Sequence, residues 1–276
     1  MLTIIEKENP GMINIFSKFS CYFFVLSFFL VISGCSKPTD FTNLSQLGDK
    51  LFAVPTGTAV DKLVLTKFPK ARFLYFNGVI DAAMAVKAGK VDAFACDEPI
   101  LKNIAAKNGG LVLLPDMITA DNYAVAVGKD NRELKTAIDA VIIELKINGT
   151  YSAMVQRWFP KTGTPGSMPH LPANGAVGVL RLGTAAIAEP FSFMDGSQNI
   201  VGFDIELARH VAQKLGRQLK IVNMEFGALI PALISGKVDM IADCITVTEE
   251  RAQKVLFSEP YYTGGIAALV REPKSK

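Results

Sequence analysis

Residues 230–243 read Ile-Pro-Ala-Leu-Ile-Ser-Gly-Lys-Val-Asp-Met-Ile-Ala-Asp, and residues 83–97 repeat their pattern as Ala-Met-Ala-Val-Lys-Ala-Gly-Lys-Val-Asp-Ala-Phe-Ala-Cys-Asp. Each stretch combines a helical pattern, the turn Gly-Lys-Val-Asp, a short apolar strand and an acidic residue at the strand's end. The echo predicts two similar α/β lobes. Because ligands bind beyond the carboxyl ends of strands in open α/β sheets, facing strand ends predict a cleft between the lobes.

The segments on either side of these stretches also alternate between short apolar strands and amphipathic helices. Tyr123-Ala-Val-Ala-Val127 predicts a strand, and Asp204 is placed to cap a helix that carries Leu207, Val211 and Leu215 on one face. Leu134, Ile138, Ile142 and Leu145 recur at a spacing of four, which predicts a helix over 132–147. The Pro- and Gly-rich residues 161–178 predict a linker. The alternation favours α/β layers with mostly parallel sheets.

The composition fits a chain that forms one large two-lobed domain or two small ones. It has 276 residues, of which 50% are hydrophobic, and a formal net charge of only +3. There is no run of five basic residues, which argues against nucleic acid as a partner.

The N-terminus predicts export. Lys18 precedes an apolar run over 21–32, which is too short for a comfortable membrane span and fits a secretory signal. The run ends Ile32-Ser33-Gly34-Cys35, which resembles the cleavage pattern of bacterial lipoproteins. We therefore expect a signal peptide over 1–34, a lipid anchor on Cys35 and a polar tether over 35–47. An uncleaved anchor helix is the alternative, and both place the protein outside the cytoplasm on a membrane.

Two further cysteines, Cys96 and Cys244, do not amount to a disulfide framework or a metal site. Buried free thiols are the default expectation for both. A redox lock across the cleft is the alternative.

The sequence offers one positive and one negative group for a ligand. After the strand at 240–242, Thr246 or Thr248 is placed to cap a short helix whose Arg251 can hold a carboxylate. In the other half, Thr58 is placed to cap a helix, and Asp97 follows a strand where it can take an ammonium group. The alternatives are that Arg251 is an ordinary surface residue and that Asp97 is an ordinary turn residue.

Several motifs resemble the bacterial extracellular solute-binding proteins of the polar amino-acid uptake family. In 180–271 they are Gly183-Thr184, Glu189-Pro-Phe-Ser-Phe193, Val201-Gly-Phe-Asp-Ile-Glu-Leu-Ala208, the stretch 228–239, Ile245-Thr-Val-Thr-Glu-Glu-Arg251 and Phe257-Ser-Glu-Pro-Tyr-Tyr262. In 48–160 they are Val54-Pro-Thr-Gly-Thr58, Ala88-Gly-Lys-Val-Asp-Ala93, Asp97-Glu-Pro99, Tyr123-Ala-Val-Ala-Val127 and the stretch 148–159. The resemblance implies a two-lobed periplasmic-binding-protein fold of type II.

The family has these two parts in the opposite order, so the chain resembles a circular permutant. The resemblance implies that 48–122 is lobe 2, that 123–160 is the C-terminal part of lobe 1 and that 179–276 is its N-terminal part. A fragment of two tandem proteins and a domain-swapped dimer are the alternatives.

The resemblance also implies roles in the site. Arg251 would hold the ligand carboxylate with Thr246 and Thr58, Asp97 and the carbonyl of Cys244 would take the ammonium group, and Phe226 would form an apolar wall. Ala188 stands where the family usually has an aromatic residue, and Ala185 where it often has an acid. Asp243, where small residues are usual, can supply a charge instead.

We therefore expect a binding protein without catalytic activity, cofactor or metal. It would close around an amino-acid-like ligand and deliver it to an ABC permease. The alternatives are a dehydratase on the same fold, with Glu189 and Asp243 as candidate acids or bases, and a sensory ligand-binding module.

Overall fold

A computed structural model describes residues 40–160, 165–171 and 177–273. The predicted signal peptide, Cys35 and parts of the predicted tether and linker lie outside these residues. None of the described helices combines the length and the hydrophobicity that a membrane-spanning helix needs.

The described chain confirms the predicted α/β class. A short 3-10 helix, Leu44–Leu47, comes first. The elements before the linker are β1 (Leu51–Pro55), α1 (Val60–Lys67), β2 (Arg72–Phe76), α2 (Val79–Lys87), β3 (Ala93–Asp97), α3 (Glu98–Lys107), β4 (Leu111–Leu113), β5 (Asp121–Tyr123), β6 (Ala126–Val127), α4 (Arg132–Ile147) and α5 (Thr150–Trp158).

The part after the linker continues the alternation. Its elements are β7 (Val179–Thr184), β8 (Ile187–Ala188), β9 (Ser192–Met194), β10 (Ile200–Val201), α6 (Phe203–Lys214), β11 (Gln218–Asn223), the 3-10 helix Phe226–Ala228, α7 (Leu229–Ile234), β12 (Met240–Ile241), α8 (Glu249–Ala252), β13 (Leu256–Phe257), β14 (Tyr262–Gly264) and β15 (Ile266–Arg271).

Two five-stranded sheets share one topology. The first has the order β2-β1-β3-β15-β4, and the second has the order β11-β7-β12-β6-β13. In each sheet three neighbouring strands are parallel, and the fourth runs antiparallel to both of its neighbours. The repeated Gly-Lys-Val-Asp turns precede β3 and β12, which occupy equivalent places. We call the parts around these sheets the first lobe and the second lobe.

The chain passes between the lobes twice, at neighbouring places. It leaves the first lobe through β5 and enters the second sheet as β6, and it returns through β14 to enter the first sheet as β15. The two crossing strands pair with each other, with Tyr123 opposite Tyr262 and their ring centroids 5.7 Å apart. Both connections therefore share one two-stranded ladder.

The faces of the first sheet show why its strands are almost continuously apolar. Phe52 and Val54 of β1 lie in one hydrophobic cluster with the α1 residues Val60 and Val64. Ala53, between them, faces the opposite cluster, which contains residues of α2 and α3. Because helices cover both faces, the three central positions of β1 are fully buried, as in parallel sheets generally.

The structure corrects three of the sequence predictions. Residues 266–271 form β15 in the first sheet, although the resemblance assigned all of 179–276 to the other lobe. The predicted strand 123–127 is divided between β5 and β6, because the chain passes from the crossing ladder into a sheet there. Asp204 does not cap α6. The N-cap is Gly202, and Asp204 is fully buried.

Candidate functional site

A cavity lies between the two lobes. The strands β1 and β3 end at it from the first lobe, and β7 and β12 end at it from the second, as ligand sites in open α/β sheets do. All eight residues predicted to bind ligand line this cavity: Thr58, Asp97, Ala188, Phe226, Asp243, Cys244, Thr246 and Arg251.

Arg251 brings a positive charge to the second-lobe wall. It lies on α8, whose N-cap is Thr248. The Thr248 hydroxyl accepts a hydrogen bond from the backbone N–H of Arg251. Its guanidinium donates from Nη1 to the carbonyl of Thr246 (2.9 Å) and lies 5.4 Å from the ring centre of Phe226. Within the described residues it forms no ion pair, and only 9% of the residue is exposed. Burial lowers the pKa of Arg251, while the charge of Asp97 acts in the opposite direction.

Asp97 brings a carboxyl group to the first-lobe wall. It is the last residue of β3, and the thiol of Cys96 donates to its Oδ2 (3.7 Å). Burial raises the pKa of Asp97 from its ordinary value. The structure thus places a guanidinium and a carboxyl group on opposite lobes, around one shared cavity.

Two further carboxyl groups lie on the second-lobe side. Asp243 lines the cavity, and its oxygens contact the Thr184 hydroxyl (3.0 Å) and accept the backbone N–H of Ala185 (3.2 Å). Asp204 lies behind Cys244 and accepts its backbone N–H (2.6 Å). Burial raises the pKa of Asp204 to about 7 and that of Asp243 well above its usual range.

Cys96 and Cys244 are both free thiols that line the cavity from opposite lobes. Burial raises the pKa of both thiols, and the nearby carboxyl groups raise it further. Such thiols are poor nucleophiles at neutral pH, because the thiolate is the reactive form. Cys244 has a positive φ of 42°, so its chain segment turns sharply beneath the cavity.

Thr58 contributes differently from the prediction. The helix α1 is capped at Ala59 without a side-chain hydrogen bond, and the Thr58 hydroxyl donates to the carbonyl of Pro55 (2.8 Å). In this conformation the hydroxyl proton is therefore already engaged. Thr246 is buried, and its carbonyl accepts from Arg251.

Asn77 and Glu225 are polar residues at the cavity that were not among those predicted from the sequence. Asn77 comes directly after β2, and Glu225 comes shortly after β11, and both line the cavity. The rule that ligands bind beyond strand ends would have found both. In the described ranges, no group of three or more His, Cys, Asp or Glu residues is placed to hold a metal ion.

The lobes touch at the rim of the cavity. There, Lys62 of the first lobe pairs with Glu250 of the second. A second pair between the lobes, Lys107 with Glu189 (2.5 Å), lies away from the cavity, beside residues 165–168. Gly57, with a φ of 76°, approaches Gly227 so closely that a β-carbon on Gly57 would lie 2.8 Å from the Cα of Gly227. These contacts hold the two walls against each other.

Comparison with known proteins identifies a family match for the C-terminal third of the described chain. Residues 180–276 match the bacterial extracellular solute-binding proteins, family 3. The match covers about a third of the chain. It includes Asp243, Cys244, Thr246 and Arg251, so the second-lobe wall of the cavity lies within the family 3 region.

Individual relatives match over a similar length. The arginine-binding extracellular protein ArtP of Bacillus subtilis is 45% identical over 84 residues, which is 30% of this chain and 32% of that protein. A probable histidine-binding protein of Campylobacter jejuni is 46% identical over 83 residues, again 30% and 32%. The arginine-bound domain 1 of TmArgBP is 45% identical and covers 34% of this chain and 80% of that one, with a TM-score of 0.31. The chain thus spans about a third of the length of the curated relatives it matches.

Proposed function

We propose that this chain is the substrate-binding lipoprotein of an ABC transporter, and that it holds an amino acid or a similar small zwitterion between its lobes. One observation carries the proposal: Arg251 and Asp97 lie on opposite lobes and line the same cavity. A zwitterion with a carboxylate at one end and an ammonium group at the other fits such a pair.

The energetics of Arg251 support a carboxylate ligand. A buried charge is costly unless it is paired, and this guanidinium has a carbonyl and an aromatic face as neighbours but no ion pair within the described residues. A ligand carboxylate would accept two parallel hydrogen bonds from it, which are among the strongest in proteins. Asp97 would be paired in the same way by the ammonium group.

The relatives named above are described as binding proteins for arginine and histidine, which favours binding over catalysis. The dehydratase alternative needs a free acid or base at the cavity. Its candidate Glu189 is paired with Lys107 and is not among the residues that line the cavity. Asp243 alone remains, and its oxygens are held by Thr184 and Ala185.

The exported location rests on the N-terminal sequence and on the family, whose description is extracellular. We propose that Cys35 carries the lipid and that the permease lies in the same membrane. The cavity and its two walls would then stand outside the cytoplasm.

The permuted order of the lobes is part of the proposal. Strand β6, from before the linker, lies between β12 and β13, from after it, so both sides of the linker build one sheet. One set of ten strands makes the two sheets, with one strand for each place. A single chain with reordered parts accounts for this more simply than two partial proteins.

Calorimetry with a panel of amino acids tests the proposed function. Arg251→Met keeps the apolar length of the side chain and removes the charge. We expect it to weaken binding at least 100-fold, in line with about 3–5 kcal/mol for breaking a buried ion pair. We also expect it to leave the unliganded melting temperature unchanged or higher, because a costly buried charge is removed.

Arg132→Met is the matched control, since Arg132 is exposed on α4. It should bind as the unchanged chain does. Asp97→Asn should also weaken binding strongly. If Arg251→Met retained affinity within threefold of the unchanged chain, the proposed function of this cavity would be wrong.

A further inference from the structure

The charges around the cavity do not balance for a neutral zwitterion. Three carboxyl-bearing residues line it, Asp97, Asp243 and Glu225, whereas Arg251 is the only basic one among the lining residues. A zwitterion uses Asp97 and Arg251. Asp243, which is 1% exposed, and the exposed Glu225 are then left without a positive partner.

Asp243 is held in place from the protein side by neutral groups. Its Oδ1 contacts the Thr184 hydroxyl, its Oδ2 accepts the N–H of Ala185, and it forms no ion pair in the part of the chain that the structure describes. These hydrogen bonds fix its orientation without supplying a charge. A buried carboxyl group that lines a cavity in this way is suited to a cation from the ligand.

The wall beside Asp243 is open. Ala185, whose backbone N–H donates to the carboxyl group, and Ala188, three residues further along the chain, both line the cavity with only a methyl side chain. A ligand side chain can therefore reach this wall. Other charged groups near Asp243 are Asp204 on α6 and Asp97 on β3, and both are acidic.

We propose that Asp243 is the specificity-determining residue of the cavity and that it selects ligands whose side chain carries a second positive charge. The proposal rests on the proposed function, because it assumes that Asp97 and Arg251 hold the two ends of the zwitterion. The preferred ligand is then an amino acid with net charge +1, with its side-chain cation on the Ala185 wall.

Two ligand pairs of similar shape isolate the side-chain charge. Arginine carries a charged guanidinium where citrulline carries a neutral urea group. Ornithine carries a charged ammonium group where glutamine carries a neutral amide. We expect the unchanged chain to bind the cationic member of a pair at least tenfold more tightly by calorimetry at pH 7, which corresponds to about 1.4 kcal/mol. A preference for the neutral member in both pairs would overturn the proposal.

Asp243→Asn tests the residue itself. The amide keeps the size of the side chain and can still accept from Ala185. We expect the variant to lose the preference for arginine over citrulline to within threefold. Asp130→Asn, at an exposed position, is the control and should keep the preference. If Asp243→Asn folds and keeps the full preference for arginine over citrulline, Asp243 does not select for the charge of the ligand side chain.

The outcomes separate this proposal from the proposed function. If neutral amino acids bind and Arg251→Met abolishes their binding, the zwitterion site stands and only the role of Asp243 is wrong. If no amino acid of either kind binds, the proposed function itself fails. The comparison of ligand pairs on the unchanged chain remains decisive even if Asp243→Asn does not fold.

Discussion

A single methyl group at Gly57 should prevent the lobes from closing. Gly57 lies in the loop between β1 and α1, and Gly227 faces it from the second lobe. A β-carbon on Gly57 would lie 2.8 Å from the Cα and 3.0 Å from the N of Gly227, both of which are backbone atoms. Real β-carbons do not approach other atoms so closely, and a backbone segment cannot turn aside as a side chain can. In Gly57→Ala, the lobes must therefore separate at this rim.

The size of the effect follows from the cost of overpacking. Forcing extra atoms into a closely packed contact costs about 1–3 kcal/mol. If that cost falls on the closed form alone, ligand affinity drops roughly 5- to 150-fold. Gly57 also has a φ of 76°, where an alanine costs about 1–2 kcal/mol in any state of the lobes. That second cost should lower the melting temperature of the unliganded chain without changing affinity.

Two control variants separate these costs. Gly149→Ala introduces a side chain at a φ of 83° with nothing within 4 Å, so it carries the backbone strain alone. Gly227→Ala places its β-carbon at an ordinary 3.5 Å from the Cα of Gly57, so it probes the same rim without a clash. We expect both controls to bind ligand as the unchanged chain does. Gly57→Ala should bind more weakly and have a larger radius of gyration in X-ray scattering with saturating ligand. Equal affinity of Gly57→Ala and Gly227→Ala would refute the reasoning that this contact belongs to a closed state.

Two further predictions concern the charges around the cavity. Because burial raises the pKa of Asp204 to about 7, the folded chain favours its protonated form, and the resulting stability is complete below about pH 4 and lost as the pH rises through 7. The free energy of unfolding, measured by denaturant, should therefore fall by about 2–3 kcal/mol between pH 5 and pH 8. Asp204→Asn should remove most of this pH dependence. If the variant kept the same pH dependence, the assignment to Asp204 would be wrong. The interlobe pairs Lys62–Glu250 and Lys107–Glu189 are partly exposed, so Lys62→Met and Lys107→Met should each weaken ligand binding by no more than about fivefold. That loss of affinity should shrink in 0.5 M salt, and a larger or salt-insensitive effect would mean that these pairs do more than hold the lobes together.

Local patterns in the sequence predicted the elements whose stability is local. The helix 132–147 was predicted from a spacing of four, and α4 has these same limits because its apolar face packs as a continuous stripe. Asp204 was misjudged for the opposite reason. Its position near the start of α6 suggests a cap, but its partner is the backbone of Cys244, forty residues away in the chain. A contact of that kind leaves no periodic signal.

The site also combines features that are local in the sequence with features that depend on distant parts of the chain. Arg251 and Asp97 could each be found from a helix start and a strand end, but the cavity that they share depends on how the lobes face each other. The internal echo predicted a cleft between two lobes, and the resemblance to a family assigned Arg251 and Asp97 to it. β15 shows the limit of the resemblance, since its place between β3 and β4 is decided by pairing between distant parts of the chain.

The repeated topology also bears on how the two lobes would close around a ligand. In each lobe the antiparallel strand follows a crossing strand closely, β6 after β5 and β15 after β14, and the two crossings pair as one ladder. If the lobes close around the ligand as we expect, a rotation about that ladder would change the distance between β3 and β12. Asp97 is the last residue of β3 on the first lobe, whereas Arg251 and Asp243 both lie on the second lobe and would move together. Under this proposal the attraction of a ligand cation for Asp243 would be available before closure, and only Asp97 would have to be brought to the ligand.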